Sequence, residues 1–259
     1  SLPPGYDGAR IGIGLFALGG VGDAAWHNAF GVERGIDALL SPTHLLLFAG
    51  LVLVLAAPLR AARATPLSPP GPWMLASSVI ACTALVGFFL NFVWGLGIAA
   101  LARVRYDAVT DAGETAVIAG VASMLVTTAV LFVAARVLLA GGAAPIGAVT
   151  ILFGTVALLV SAAFDEDAEG VVAAVAAGVV LDVLIRARGE RPARARVVAF
   201  GVTAAVLWLT YLGLLAALDG IDWQAEIWLG AAALNSLAAV AIAAVVSPAH
   251  EPAAQGAPT

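Results

Sequence analysis

Three side chains near the start of the chain could do metal chemistry together. In the run Gly-Val-Gly-Asp-Ala-Ala-Trp-His-Asn-Ala-Phe, Asp23 and His27 stand four residues apart. On a helix they project from one face, about 6 Å apart along the axis. Ser-Pro-Thr-His then opens the next apolar run, with Ser41 suited to an N-cap, Pro42 to the first helical position and His44 in the first turn. Two antiparallel helices joined by a short loop place their adjoining ends side by side, which brings His44 toward His27 and Asp23. One carboxylate and two imidazoles can hold a divalent first-row metal with positions open to water or substrate. Donor chemistry alone leaves copper(II), zinc and non-haem iron(II) open. The chain has three histidines; the third, His250, falls in a Pro- and Ala-rich tail and reads as solvated.

Other polar groups define the surroundings. Trp26, Asn28, Glu33 and Asn91 are candidates for a second shell around the metal, and Asn28 or Glu33 could add a ligand. Asn91, in the apolar run from Val86 to Trp94, reads first as an interhelical hydrogen-bonding group, as do Asn235 and Ser236. Without a metal, Asp23 and His27 would form a helix-surface pair and His44 a backbone cap. Asp182 precedes Arg186 by four residues, a normal helical ion pair, with a proton-relay role as the alternative. The acidic stretch from Asp165 to Glu169 reads as a solvated loop that could also draw cations toward the site. No residue stands out as catalytic.

The elements that must carry these groups are membrane helices. The 259 residues are 62% hydrophobic and 11% charged, with a mean hydropathy of +1.02. About a quarter of the residues of an average soluble domain are charged, so this chain cannot cover a water-facing surface. The net charge of −5 gives no basic footprint for nucleic acid, and the lone Cys82 excludes an internal disulfide. Apolar runs long enough for a core of about 30 Å fall at 10–30, 42–60, 74–101, 115–140, 145–164, 170–186, 196–218 and 224–247. Continuous runs such as Val197 to Ala217 lack the alternation of barrel strands. The expected fold is therefore an all-α polytopic bundle of about eight helices, one domain over 1–247 with a disordered tail at 248–259.

All twelve basic residues are arginines. Arg10, Arg60, Arg63, Arg136, Arg186, Arg188, Arg191, Arg194 and Arg196 fall on one side of that topology, and Arg34, Arg103 and Arg105 on the other. The positive-inside rule makes both termini cytoplasmic and the loop after the first span external. Trp73 on one side and Trp94, Tyr106, Trp223 and Trp228 on the other would form aromatic belts. With Arg10 alone before the first apolar run and Asp23, His27 and Glu33 at its distal end, that run reads as a span rather than a cleavable signal. The arginine, alanine and glycine bias suits a bacterial inner-membrane protein. Gly12-Ile-Gly14-Leu-Phe-Ala17 imitates a dinucleotide fingerprint, but within a span it reads as close helix packing.

Asp-Ala-Ala-Trp-His followed by Ser-Pro-Thr-His resembles the membrane-embedded metal-site signature in the C subunit of the copper membrane monooxygenases, the particulate methane and ammonia monooxygenase family. The resemblance spans about 22 residues. It implies copper held by Asp23, His27 and His44, with Trp26, Ser41 and Pro42 as matching context. The segment between the histidines is a few residues longer than in that family, the motif lies in the first span rather than midway, and neither a second histidine cluster nor a cupredoxin-like domain is present.

The expected function is an integral membrane metalloprotein with a two-His, one-Asp mononuclear centre. Copper is the first choice over zinc and iron, with a monooxygenase-like oxidation role. The alternatives are a membrane copper or zinc transporter or handling protein, and a structural subunit of a membrane complex. The bilayer is the expected partner, with further subunits or a homo-oligomer around it.

Overall fold

A computed structural model describes residues 4–64, 71–106, 111–140, 144–164, 168–187 and 193–245. Among these residues the secondary structure is helical, with no strand. The helices are α1 (Asp7–Phe30), α2 (Ile36–Leu40), α3 (Pro42–Leu55), α4 (Ala57–Ala64), α5 (Pro72–Phe89), α6 (Ala99–Ala102), α7 (Asp111–Leu139), α8 (Ala148–Phe164), α9 (Glu169–Arg186), α10 (Ala193–Leu218) and α11 (Ala225–Val245). Each of the eight apolar runs overlaps at least one of these helices. Pro58 has no N–H to give back to Val54, and the chain turns at Ala56 between α3 and α4 before continuing in nearly the same run.

Five described stretches are long and apolar enough to cross a membrane: Pro42–Ala62, Pro72–Phe89, Asp111–Leu139, Arg194–Leu218 and Ala225–Val245. By length and composition this supports a multi-pass membrane protein. α8, at 17 residues, is shorter. α9 carries Glu169, Asp182 and Arg186, and α1 is diluted by its glycines and by Asp23, His27 and Asn28. Lipid is the solvent that fits the exposed Ile11, Ile13, Leu18 and Val21 of α1.

The expected span 74–101 is not one helix. α5 stops at Phe89, and the chain passes through two single 3-10 turns, Asn91–Val93 and Gly95–Gly97, before α6. Irregular backbone within a membrane protein must find partners inside the protein. Here Gly95 N–H donates to Thr127 Oγ1 at 2.7 Å and Ile98 N–H to Tyr211 Oη at 3.1 Å, both from neighbouring helices. This break also corrects the aromatic belt. Trp94 is buried beside it, and Trp223 is buried with its indole N–H on the Leu101 carbonyl. Their rings fill the core rather than mark an interface.

The core lies among α5 and α7 to α11. Phe132 of α7 packs between Phe153 of α8 and Phe200 of α10, with centroids 5.4 and 5.7 Å away. Trp208 donates to Thr128, which donates to Asn235, so Asn235 does bond across helices as its composition suggested. Among the described residues the Ser236 hydroxyl instead returns to Ala232 O one turn back in α11. Asp182 pairs with Arg186 at 3.1 Å as expected and also caps the start of α8 by accepting from Thr150 N–H and Oγ1. The acidic residues 165–167 and the tail at 248–259 lie outside the described residues.

α1 and α3 form an antiparallel hairpin at the edge of this core, attached chiefly through α3 against α5, where Phe48 meets Phe89 at 4.5 Å. The hairpin is unusually close. A Cβ on Gly12 would lie 2.6 Å from Gly50 O, and one on Gly50 would lie 2.7 Å from Gly12 O and from Phe16 N. Only glycine permits that approach, which is how small residues bring membrane helices together.

Candidate metal centre

The close hairpin aligns the end of α1 with the start of α3. Asp23 and His27 sit one turn apart on α1, and Ser41 caps α3 with Pro42 in its first turn, as the sequence indicated. The Ser41 side chain accepts from His44 N–H at 3.4 Å, which caps the first turn of α3.

Three donors converge. His27 Nε2 lies 3.2 Å from Asp23 Oδ2, and His44 Nδ1 lies 3.4 Å from Asp23 Oδ1. One ligand atom from each of Asp23, His27 and His44 falls within 4.8 Å of the others. The imidazole centroids are 6.0 Å apart and the rings stand nearly edge to face. Metal–ligand bonds of about 2.0–2.2 Å would put donor atoms about 3.4 Å apart around a tetrahedral ion, so small side-chain rotations close the set. The three side chains are 20–28% exposed, which leaves coordination positions open on the outer side of the cluster.

The hydrogen bonds around the ligands fit such an ion. His27 Nδ1 lies 3.2 Å from Gly31 O, and a carbonyl can only accept, so in the neutral ring the proton sits on Nδ1 and Nε2 carries the free lone pair. Nε2 and Asp23 Oδ2 are then two acceptors 3.2 Å apart. A cation between them, a proton or a metal ion, satisfies both. Gly31 reaches back to α1 because its φ of +87° suits glycine, and its own N–H bonds His27 O at 2.9 Å. Thr43 Oγ1 donates to Asp23 Oδ1 at 2.9 Å, and Ser41 Oγ lies 2.7 Å from His44 Nδ1. Each candidate ligand therefore has a hydrogen-bond partner outside the cluster, an arrangement that would hold its orientation around an ion.

The other sequence candidates stand apart from this set. Trp26 packs at a tilt against Phe30, with centroids 4.6 Å apart, and donates to Glu33, so the Trp26–Glu33 pair ties the loop back to α1. Asn28 donates to Ala24 O on its own helix. Asn91 lies in the 3-10 turn beyond α5, and its Oδ1 is buried with no hydrogen-bond partner among the described residues. No hydrogen bond among the described residues joins Asn28, Glu33 or Asn91 to the three ligands. Sequence reasoning treated Ser41 as a cap alone and missed Thr43; a hydroxyl in the first turn, one residue before a candidate ligand, was the available signal.

An apolar cleft of about 390 Å³ opens between α5 and α7, lined by Val79, Cys82, Thr83, Val86, Val130 and Val133 among others, and includes none of the three ligands. Comparison with protein-family models, with curated proteins and with solved structures gives no match.

Proposed function

We propose that this chain is an integral membrane metalloprotein whose mononuclear centre is held by Asp23, His27 and His44, with copper as its metal. The observation that carries the proposal is the convergence of those three ligands from α1 and α3, with His27 Nε2 turned toward Asp23 by the Gly31 carbonyl. Copper is supported by the Asp-x-x-Trp-His and Ser-Pro-x-His pattern that the chain shares with the copper membrane monooxygenases, and by a donor set of two imidazoles and a carboxylate that suits copper(II). Taken with eight passes, the arginine distribution supports cytoplasmic termini, which puts the centre toward the outer leaflet.

The role that follows is oxidation, by analogy with that family. Copper, when bound, supplies one-electron and dioxygen chemistry. The chain's own residues bind and tune it: Asp23 offsets part of the charge, and the two imidazoles set geometry and potential. The exposed apolar flank of α1 gives a lipid-dissolved substrate direct access to the hairpin.

Two measurements test the proposal. Copper(II)-loaded protein should show electron paramagnetic resonance coupling to two histidine nitrogens, and His27→Ala or His44→Ala should reduce this to one or none with helicity retained. Unchanged coupling in both variants overturns the ligand assignment. Loaded protein in vesicles should also consume dioxygen when given a reductant and an apolar substrate, and His27→Ala should not. Copper bound without such uptake overturns oxidation and favours a second role, metal handling, for which the partial exposure of all three ligands would permit exchange.

A further inference from the structure

Four polar atoms beside the centre form a closed ring. Thr43 Oγ1 is 2.9 Å from Asp23 Oδ1, Ser41 Oγ is 3.3 Å from Thr43 Oγ1 and 2.7 Å from His44 Nδ1, and His44 Nδ1 is 3.4 Å from Asp23 Oδ1. We propose that Ser41 and Thr43 are positioning residues that pass hydrogen bonds one way, from His44 Nδ1–H to Ser41 to Thr43 to the Asp23 carboxylate, and so choose the ligand atoms. The inference rests on the metal reading above and adds the identity of the coordinating atoms and the residues that select them.

Proton accounting sets the direction. An ionised carboxylate only accepts, so the single Thr43 hydroxyl proton points to Asp23 Oδ1. Thr43 Oγ1 can then only accept from Ser41. The Ser41 proton has two outlets that direct it away from His44, namely Thr43 Oγ1 and Ala38 O at 3.4 Å. With that proton given to either of them, the short 2.7 Å contact takes His44 Nδ1–H as its donor. The opposite arrangement, with Ser41 donating to a bare Nδ1, places two partly negative atoms, Nδ1 and Asp23 Oδ1, 3.4 Å apart with no proton between them and leaves the Ser41–Thr43 contact with no proton. The one-way chain avoids both penalties.

Thr43 lies between the two helices. The Thr43 methyl group lies toward Gly22 of α1, 3.4 Å from where a Cβ would stand there, while the hydroxyl faces Asp23. Three ligand atoms follow. His27 offers Nε2 because Nδ1 bonds Gly31, and Asp23 offers Oδ2 because Oδ1 is held by Thr43; His44 is left with Nε2 because Nδ1 carries the proton, and since Nδ1 is the atom 3.4 Å from Asp23, metal binding must tilt the ring to bring Nε2 in while Nδ1 keeps Ser41. Asp23 is thereby a one-oxygen ligand, and each ligand's remaining polar atom is engaged by a second-sphere group.

Selective ¹⁵N-histidine labelling of the metal-free, detergent-purified chain reads the first half. With three histidines in the sequence, long-range ¹H–¹⁵N spectra, assigned with His44→Gln, should show His44 protonated on Nδ1; a proton on Nε2 with Nδ1 bare overturns the chain. Zn²⁺ affinity reads the second half. Thr43→Val removes the hydroxyl while keeping the branched shape, and should weaken Zn²⁺ binding roughly 10–100-fold at unchanged helicity, with Thr43→Ser restoring it. A Val variant that binds as tightly as the parent overturns the role of Thr43, as does failure of Ser to rescue. If the parent binds neither Zn²⁺ nor Cu²⁺, the metal reading fails with it, and the spectra still report separately on the hydrogen-bond chain.

Discussion

Replacing Gly50 with alanine should weaken metal binding from two helical turns away. The added carbon would fall 2.7 Å from Gly12 O and Phe16 N, whereas ordinary contact begins at 3.4 Å. Both opposing atoms are backbone, so no side chain can swing aside, and α1 must move off α3 by about 0.7 Å, at an overpacking cost of about 1–3 kcal/mol. Thr43 lies seven residues along α3, about 10 Å away on the same face. A rigid shift of that size would stretch the 2.9 Å Thr43–Asp23 bond to about 3.6 Å, beyond a working hydrogen bond. Losing this orientation should lower Zn²⁺ or Cu²⁺ affinity roughly 10–100-fold. The assay is competition against a chelator of known affinity, with circular dichroism to verify helicity. Gly14→Ala is the control, because a Cβ there meets nothing within 4 Å; it should leave affinity unchanged and add up to about 1 kcal/mol of helix propensity. Wild-type affinity in folded Gly50→Ala would refute the claim that the glycine contact sets the site.

Three further outcomes are expected. Thr128→Val strands the buried Trp208 N–H and Asn235 Oδ1, and should cost about 1–3 kcal/mol of stability by thermal unfolding without changing metal affinity. Trp26→Phe removes the indole donor to Glu33; hydrogen exchange at 31–35 should quicken while metal stoichiometry holds, and loss of metal would assign Trp26 a larger role. Stripping metal with a chelator should leave the helical signal intact, since backbone contacts rather than the ion hold the hairpin; a large loss of helicity on chelation would contradict that.

Much of the fold was legible because lipid imposes a simple pattern: apolar runs bounded by charge, proline or glycine became helices close to their expected limits. The convergence of Asp23, His27 and His44 was legible for a related reason. Asp23 and His27 are polar where apolar residues are the rule, their spacing selects one helix face, and Ser41-Pro42 announces where the next helix starts. The break after Phe89 was not legible, because Asn91, Gly95 and Gly97 sit in a run apolar enough to read as a span and their backbone partners, Thr127 and Tyr211, come from distant segments. Trp94 and Trp223 were misjudged for the same reason, since composition cannot distinguish an interfacial ring from one that fills the core beside a broken helix. Thr43 went unseen because its role depends on the register of α1 against α3, which the glycines fix and a single segment does not reveal.

The central claim is that Asp23, His27 and His44 bind a metal, and that the metal is copper. Elemental analysis for copper, zinc and iron, on the detergent-purified chain beside an Asp23→Ala, His27→Ala, His44→Ala triple variant of matched helicity, tests it most directly. The account predicts near-stoichiometric copper in the parent and none in the variant. Zinc or iron lost in the same way would contradict copper while keeping the centre, and metal retained by the variant, or absent from both proteins after reconstitution, would contradict the centre itself.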